Sequence, residues 1–124
     1  MFSMNTLPTD KRIAILAALV EGNSLRSISR MVGVSVNTVM KFVADFGPVC
    51  EEYHDAHIRG VNAKRVQCDE IWAFCYAKDK NLPAHMRGQP GVGSVWTWTA
   101  LDAESKLMIS WMVGDRDAEC AGRF

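Results

Sequence analysis

Two carboxylates, Asp69 and Glu70, stand inside an otherwise apolar, strand-forming stretch, RVQCDEIWAF. Burying a carboxylate is costly unless it is ion-paired or holds a metal, so the pair marks a candidate site. On a regular strand, neighbouring side chains point to opposite faces. One of the two therefore faces a site, and the other faces solvent or a basic neighbour such as Lys64 or Arg65. The competing reading makes both of them edge or pairing residues. Ser35, Asn37, Thr38 and Lys41 offer a different chemistry. They share the exposed N-terminal side of one expected helix. Asn pairs two-fold with adenine, Lys reaches guanine, and Ser or Thr reaches bases or phosphates. Arg26 and Arg30, on the helix before, suit phosphate contacts.

The remaining chemistry-bearing residues are less specific. His54 and His57 are three apart on an expected helix, but a single His-x-x-His is a poor predictor of metal. Cys50, Cys68, Cys75 and Cys120 form no Cys-x-x-Cys pair. Buried free thiols are expected, rather than disulfides or a zinc site. The glycine-rich stretch 88–93 lacks the Gly-Lys-Ser/Thr ending of a phosphate loop, so it reads as a hairpin connection. The four tryptophans fall in strand-like stretches at core-like positions, which argues against a base-stacking platform.

Length and composition bound what these residues can belong to. A chain of 124 residues is one ordinary domain or two very small modules. Its 14 basic and 14 acidic residues leave a net charge of zero, which excludes a polybasic nucleic-acid coat. At 48% apolar and 23% charged the composition is globular. The apolar run 13–20 is too short for a bilayer, which takes about 20 residues. Residues 1–5 show no secretion leader. The expected location is the cytoplasm, with no membrane partner.

The elements that must position the candidates can be read in order. A helix is expected over 10–21, capped by Thr9 or Asp10, with Ile13, Leu16, Ala17 and Val20 on its apolar face. Gly22-Asn23 stops it. A second helix runs from Ser24, its N-cap, to about Met31, with Leu25, Ile28 and Val32 on one face. Gly33 makes the turn. Ser35 caps a third helix over 36–45, with Val39, Phe42 and Val43 inward. Phe46-Gly47-Pro48 should close that unit. A connector helix is expected over 48–59. Strands follow over 65–77, 95–101 and 106–113, the last two as a hairpin turning at 102–105. The tail 115–124 starts a short helix. The organisation is a helical module (1–47), a connector (48–63) and a β module (64–124).

Stretch 25–44 has the pattern of a DNA-binding helix-turn-helix. Small Ser29 sits where two helices approach, Gly33 takes the turn, and Ile28, Val32, Val34, Val39 and Phe42 supply the shared core. Residues 1–47 hold five basic side chains against three acidic, a net +2, and the remainder is −2. So mild a bias predicts modest, salt-sensitive binding by one copy, and tight sites would need a second module or a dimer. The β module poses a burial problem. Its strands carry apolar side chains on both faces, and such sheets are covered on both sides. The expectation is a domain begun at Lys64 and left unfinished. The alternative is cover from the helices or a dimer partner.

Three blocks together, GNSLRSISRMVGVSVNTVMKF, AKRVQCDEIWAFCYAK and VWTWTALDAESKLMISWMVGDRD, resemble transposases of the insertion-sequence-one type. The resemblance spans nearly the whole chain and implies an α+β fold. It would hold an N-terminal helix-turn-helix and an incomplete RNase H-like antiparallel β-meander. It implies a DDE-class enzyme whose first catalytic and metal-binding Asp matches Asp69. The later carboxylates of that plan have no counterpart here; Asp102 reads as a turn residue, and Asp115 and Asp117 follow the third strand too early. Full-length relatives would cut and join DNA with two Mg²⁺ ions, a clamp that needs several converging carboxylates. Asp69 alone cannot hold it. The chain is thus expected to bind transposon-end DNA without cutting it, as a homodimer or in a mixed complex with an intact transposase, associated with the nucleoid. The competing function is a small helix-turn-helix transcription regulator whose β module dimerises.

Overall fold

The computed structural model describes residues 6–124. The chain divides into two compact units, one reaching to His57 and one spanning Ile58–Phe124. It is a mixed α+β protein.

The first unit holds α1 (Thr9–Val20), α2 (Leu25–Val32) and α3 (Val36–His57). Pro8 takes the N-cap position of α1 without a side-chain hydrogen bond. Neither Thr9 nor Asp10 caps it; the Thr9 hydroxyl instead accepts from Arg12 Nη2 at 3.1 Å. Gly22, at φ +78°, takes the left-handed conformation that ends this helix. Ser24 caps α2 as expected, its Oγ accepting from the Ser27 N–H at 3.2 Å. Gly33 closes α2 at φ +73°. Ile15, Ile28 and Val39 are wholly buried and, with Val32, form the core that joins the three helices.

Further expectations fail in this unit, Val43 among them, since it is exposed rather than inward. The buried face of α1 is Ile15, flanked by Ala18 and Leu19, while Ile13 and Val20 are 63% and 76% exposed. The run 13–20 is apolar all round, so its period cannot choose a face, and docking onto α2 decides. Nor does the third helix stop at 46–48: α3 runs unbroken for 22 residues through Pro48. Pro48 forfeits one backbone bond. The residue before it is Gly47, whose missing Cβ removes part of the clash that usually ends a helix ahead of proline.

The second unit is a three-stranded antiparallel sheet in the order β1 (Val66–Cys75), β2 (Gly93–Asp102), β3 (Met108–Gly114). Register places Asp69 opposite Thr99 and Trp72 opposite Trp96. A shift at Ala100/Leu101 marks a bulge in the β2–β3 pairing. The third strand starts two residues later than expected because Lys106, at φ +63°, still belongs to the turn. There the Asp102 carboxylate accepts from the Ser105 N–H at 3.1 Å and the Ser105 hydroxyl at 2.5 Å. The expected first strand also overshoots, since Tyr76 has φ +68°. The β1–β2 connection holds two short 3-10 turns, Asp79–Asn81 and Ala84–Met86. Asp79 ties it to the start of β2 by accepting from the Ser94 N–H at 2.8 Å and from the Ser94 hydroxyl. A Cβ on Gly93 would press on the Asp79 carboxylate, and its φ of +86° is one that side chains rarely adopt, so glycine suits this position.

A short helix, α4 (Ala118–Arg123), follows the sheet. The Asp117 carboxylate caps it by accepting from the Cys120 N–H at 2.8 Å. Phe124 packs on Trp98 with ring centres 5.9 Å apart. Cys120 is buried, as expected of a free thiol, but Cys50, Cys68 and Cys75 are exposed. Cys68 and Cys75 lie on β1, an outer strand whose Ile71, Trp72 and Phe74 are also 42–57% exposed. Cys50 lies on the solvated half of α3. Trp72 and Trp111 are likewise about 40% exposed rather than core residues.

Candidate nucleic-acid interface

The turn between α2 and α3 is centred on Ser29. The Ser29 carbonyl accepts from the N–H groups of Gly33 and Val34 at 3.0 and 3.2 Å. Its hydroxyl donates to the Val34 carbonyl at 2.5 Å. The small side chain thus bridges helix and turn. Lys11 adds a second tie by donating to the Val32 carbonyl at 2.7 Å, which satisfies an orphan carbonyl at the end of α2. Its charge is committed to the fold, so it is not part of a free basic surface.

Ser35 caps α3, its Oγ accepting from the Thr38 N–H at 3.1 Å and lying 2.8 Å from the Thr38 hydroxyl. Both hydroxyls therefore set the helix start, and Thr38 is half-buried. Asn37 is exposed on the first turn. Lys41 is exposed one turn on and ion-pairs with Asp45 on the same helix. So exposed a pair is weak and gives up little when the ammonium turns to another anion. Arg26 and Arg30 are exposed on α2, with Arg30 Nη2 donating to the Ser27 hydroxyl at 3.2 Å. The structure brings Arg12 into the same region. It lines an open groove with Thr38, Lys41 and Phe42. No local pattern in the sequence marks Arg12, because its place depends on how α1 docks against α3.

The two carboxylates of β1 separate as the strand alternation requires. Glu70 pairs with Arg116 at 3.5 Å, not with Lys64 or Arg65, and Arg116 also lies 5.2 Å from the centre of the Trp96 ring. Asp69 is exposed, and its Oδ1 accepts from the Glu70 N–H at 2.8 Å. Among the described residues no three His, Cys, Asp or Glu side chains converge as a metal-binding group. Magnesium takes oxygen ligands in near-octahedral geometry, and a two-metal site needs several carboxylates. The lone Asp69 carboxylate does not fit such a centre. His57 stacks on Tyr53, and its Nδ1 lies 2.8 Å from the Tyr53 carbonyl. The glycine-rich stretch lines a hollow with Asp79 and Asp115, whose charges oppose a phosphate. No described helix is long and apolar enough to cross a membrane.

No family model matches the chain, and comparison with curated proteins and with solved structures finds no match.

Proposed function

We propose that this chain binds DNA through a helix-turn-helix formed by α2 and α3, as the DNA-recognition part of an insertion-sequence transposase. The observation that carries the reading is the start of α3. A capped, rigidly docked helix N-terminus presents Asn37 and Lys41 to solvent, with Arg12, Arg26 and Arg30 on the neighbouring helices. Such an end enters the major groove, with amide and ammonium on base edges and the arginines on phosphates. The resemblance to insertion-sequence-one transposases supplies the biological class, and a three-stranded meander with Asp69 mid-way along its first strand is in keeping with an RNase H-like beginning. Asp69 would be the first catalytic carboxylate of the complete enzyme. The described residues assemble no magnesium site around it.

The test is selection of bound duplexes from a random pool, followed by gel shift. The chain should enrich a defined sequence that recurs at the ends of the DNA element encoding it. Asn37→Ala with Lys41→Ala should lower affinity for that sequence by at least about 5- to 150-fold, the range for a single good base contact, and for random DNA much less. Equal losses on both would remove the base-readout role. Enrichment of an upstream operator instead of element ends would favour a transcription regulator.

A further inference from the structure

Trp72 and Phe74 alternate along β1 and so share one face of the sheet. Their ring centres are 5.8 Å apart, and they are 42% and 45% exposed. Position in a strand predicts a core residue, but on this outer strand both rings reach solvent. Trp96 stands directly opposite Trp72 in the register, which carries the aromatic surface onto β2. Just beyond β1 the Ala77 N–H donates to the Cys75 carbonyl at 2.9 Å around Tyr76, whose φ is +68°. That is the strained kind of γ-turn, and strain of this sort gathers at binding sites. Lys78 follows the turn. Its Nζ stands 5.6 Å from the centre of the Trp72 ring and 5.9 Å from that of Phe74.

The cations say what this surface can meet. Lys78 is exposed, and the Arg116 guanidinium lies 5.2 Å from the centre of the Trp96 ring. A second apolar layer laid on these rings would bury an ammonium without a counter-charge, which is costly. The nearby acidic side chains are already engaged, Glu70 with Arg116 and Asp79 with Ser94. The Ser94 hydroxyl also accepts from Trp72 Nε1 at 3.0 Å, which fixes the indole. Aromatic faces for bases beside cations for phosphates are the combination that holds single strands. A duplex keeps its base faces stacked inside and cannot use the rings.

We infer that this face of the second unit binds single-stranded DNA, with one base on Trp72, the next on Phe74 and a phosphate on Lys78. The inference does not rest on the helix-turn-helix reading, whose residues lie in the other unit.

The test is titration of the full chain with dye-labelled oligodeoxythymidine, read by dye anisotropy and by tryptophan emission. Binding with quenched emission is expected. Trp72→Ala should weaken it about 5- to 150-fold, the range for one stacked base, while Trp72→Phe, which keeps a ring, should lose far less. Lys78→Gln should lower the slope of log affinity against log salt by about 0.7, the share of one phosphate on a single strand. Asn37→Ala with Lys41→Ala, which removes the proposed base contacts of the helix-turn-helix, should change none of this. In that variant the same strand annealed to oligodeoxyadenosine should bind much more weakly, and equal binding of the two overturns the inference. No binding at low salt and high micromolar concentration also overturns it. So does binding without quenching, because no base then lies on the indoles. A free chain whose quenching by acrylamide rises on dilution overturns it too, since a second copy of the protein would then cover the face.

Discussion

Replacing Ile28 by alanine tests the fold of the first unit where it is thinnest. Only Ile15, Ile28 and Val39 are wholly buried among its described residues, and Ile28 lies between the other two in the chain. Removing a buried isoleucine to Ala costs about 2–5 kcal/mol, the upper end where the surroundings cannot collapse. A unit of this size has about 3–9 kcal/mol in total. A loss of about 3 kcal/mol would lower its melting temperature by about 12–24 °C. Two signals separate the units. Helices α1, α2 and α3 hold 12, 8 and 22 residues against six in α4, so far-ultraviolet circular dichroism follows mainly the first unit. Trp72, Trp96, Trp98 and Trp111 all lie in the second, so tryptophan emission follows that one. Ile28→Ala should shift the helical transition and leave the emission transition in place. An unmoved helical transition would refute the assignment of this core. An equal shift in both would refute the local argument.

Three further outcomes follow from particular contacts. Gly33→Ala should destabilise the first unit by about 1 kcal/mol, read as a melting shift, because the φ of +73° there disfavours a Cβ even though that Cβ would make no more than an ordinary contact with Lys11 Nζ at 4.0 Å. Gly33→Asn should cost less, since Asn visits that region more readily. Thiol titration of the native chain should find three fast groups, Cys50, Cys68 and Cys75, and one slow one. The slow thiol is Cys120, where burial pushes the pKa up and shields the sulfur; a fourth fast group would refute its packing. Ser94 holds the Asp79 carboxyl below its ordinary 3.8, and Ser105 does the same for Asp102, each first through the serine hydroxyl. A carboxyl depressed in the fold contributes stability that is full above its unfolded value and is lost as pH falls through its folded one. Unfolding followed by tryptophan emission should therefore weaken below about pH 4, and less so in Asp79→Asn with Asp102→Asn. An identical acid profile in wild type and variant would refute this coupling.

What the sequence made legible was decided by atoms close together in the chain. Ser24 and Ser35 were readable as caps because each bonds an N–H three residues on. Gly33 was readable as a turn because its backbone conformation is local. The hairpin of the last two strands and the Asp102 turn followed from strand-forming residue types and turn chemistry over a few residues, whereas the order of all three strands came only from the resemblance. The failures depend on partners far along the chain. Which face of α1 is buried is set by α2. The partner of Glu70 is Arg116, 46 positions away and on no common pattern with it. Lys11 counts as surface charge by composition, yet it closes the end of α2. Of the candidate interface, Asn37 and Lys41 were legible as an exposed helix start, whereas Arg12 needed the docking of α1 to come into view.

The missed continuation of α3 has a different origin, a conflict between two local signals. Gly47-Pro48 reads as a stop, while the three–four spacing of apolar residues passes from Phe42 through Phe46 to Val49 and Tyr53 without changing phase. A true stop between two separate helices leaves no reason for their apolar positions to stay in register. The register across 46–49 therefore outweighs the proline. It also explains why a helix would bear the loss of one backbone bond at Pro48: a break there would scatter the apolar row. Pro48→Ala, which restores the bond, should therefore raise the melting temperature of the first unit read by circular dichroism, and an unchanged or lower one would refute the cost assigned to the proline.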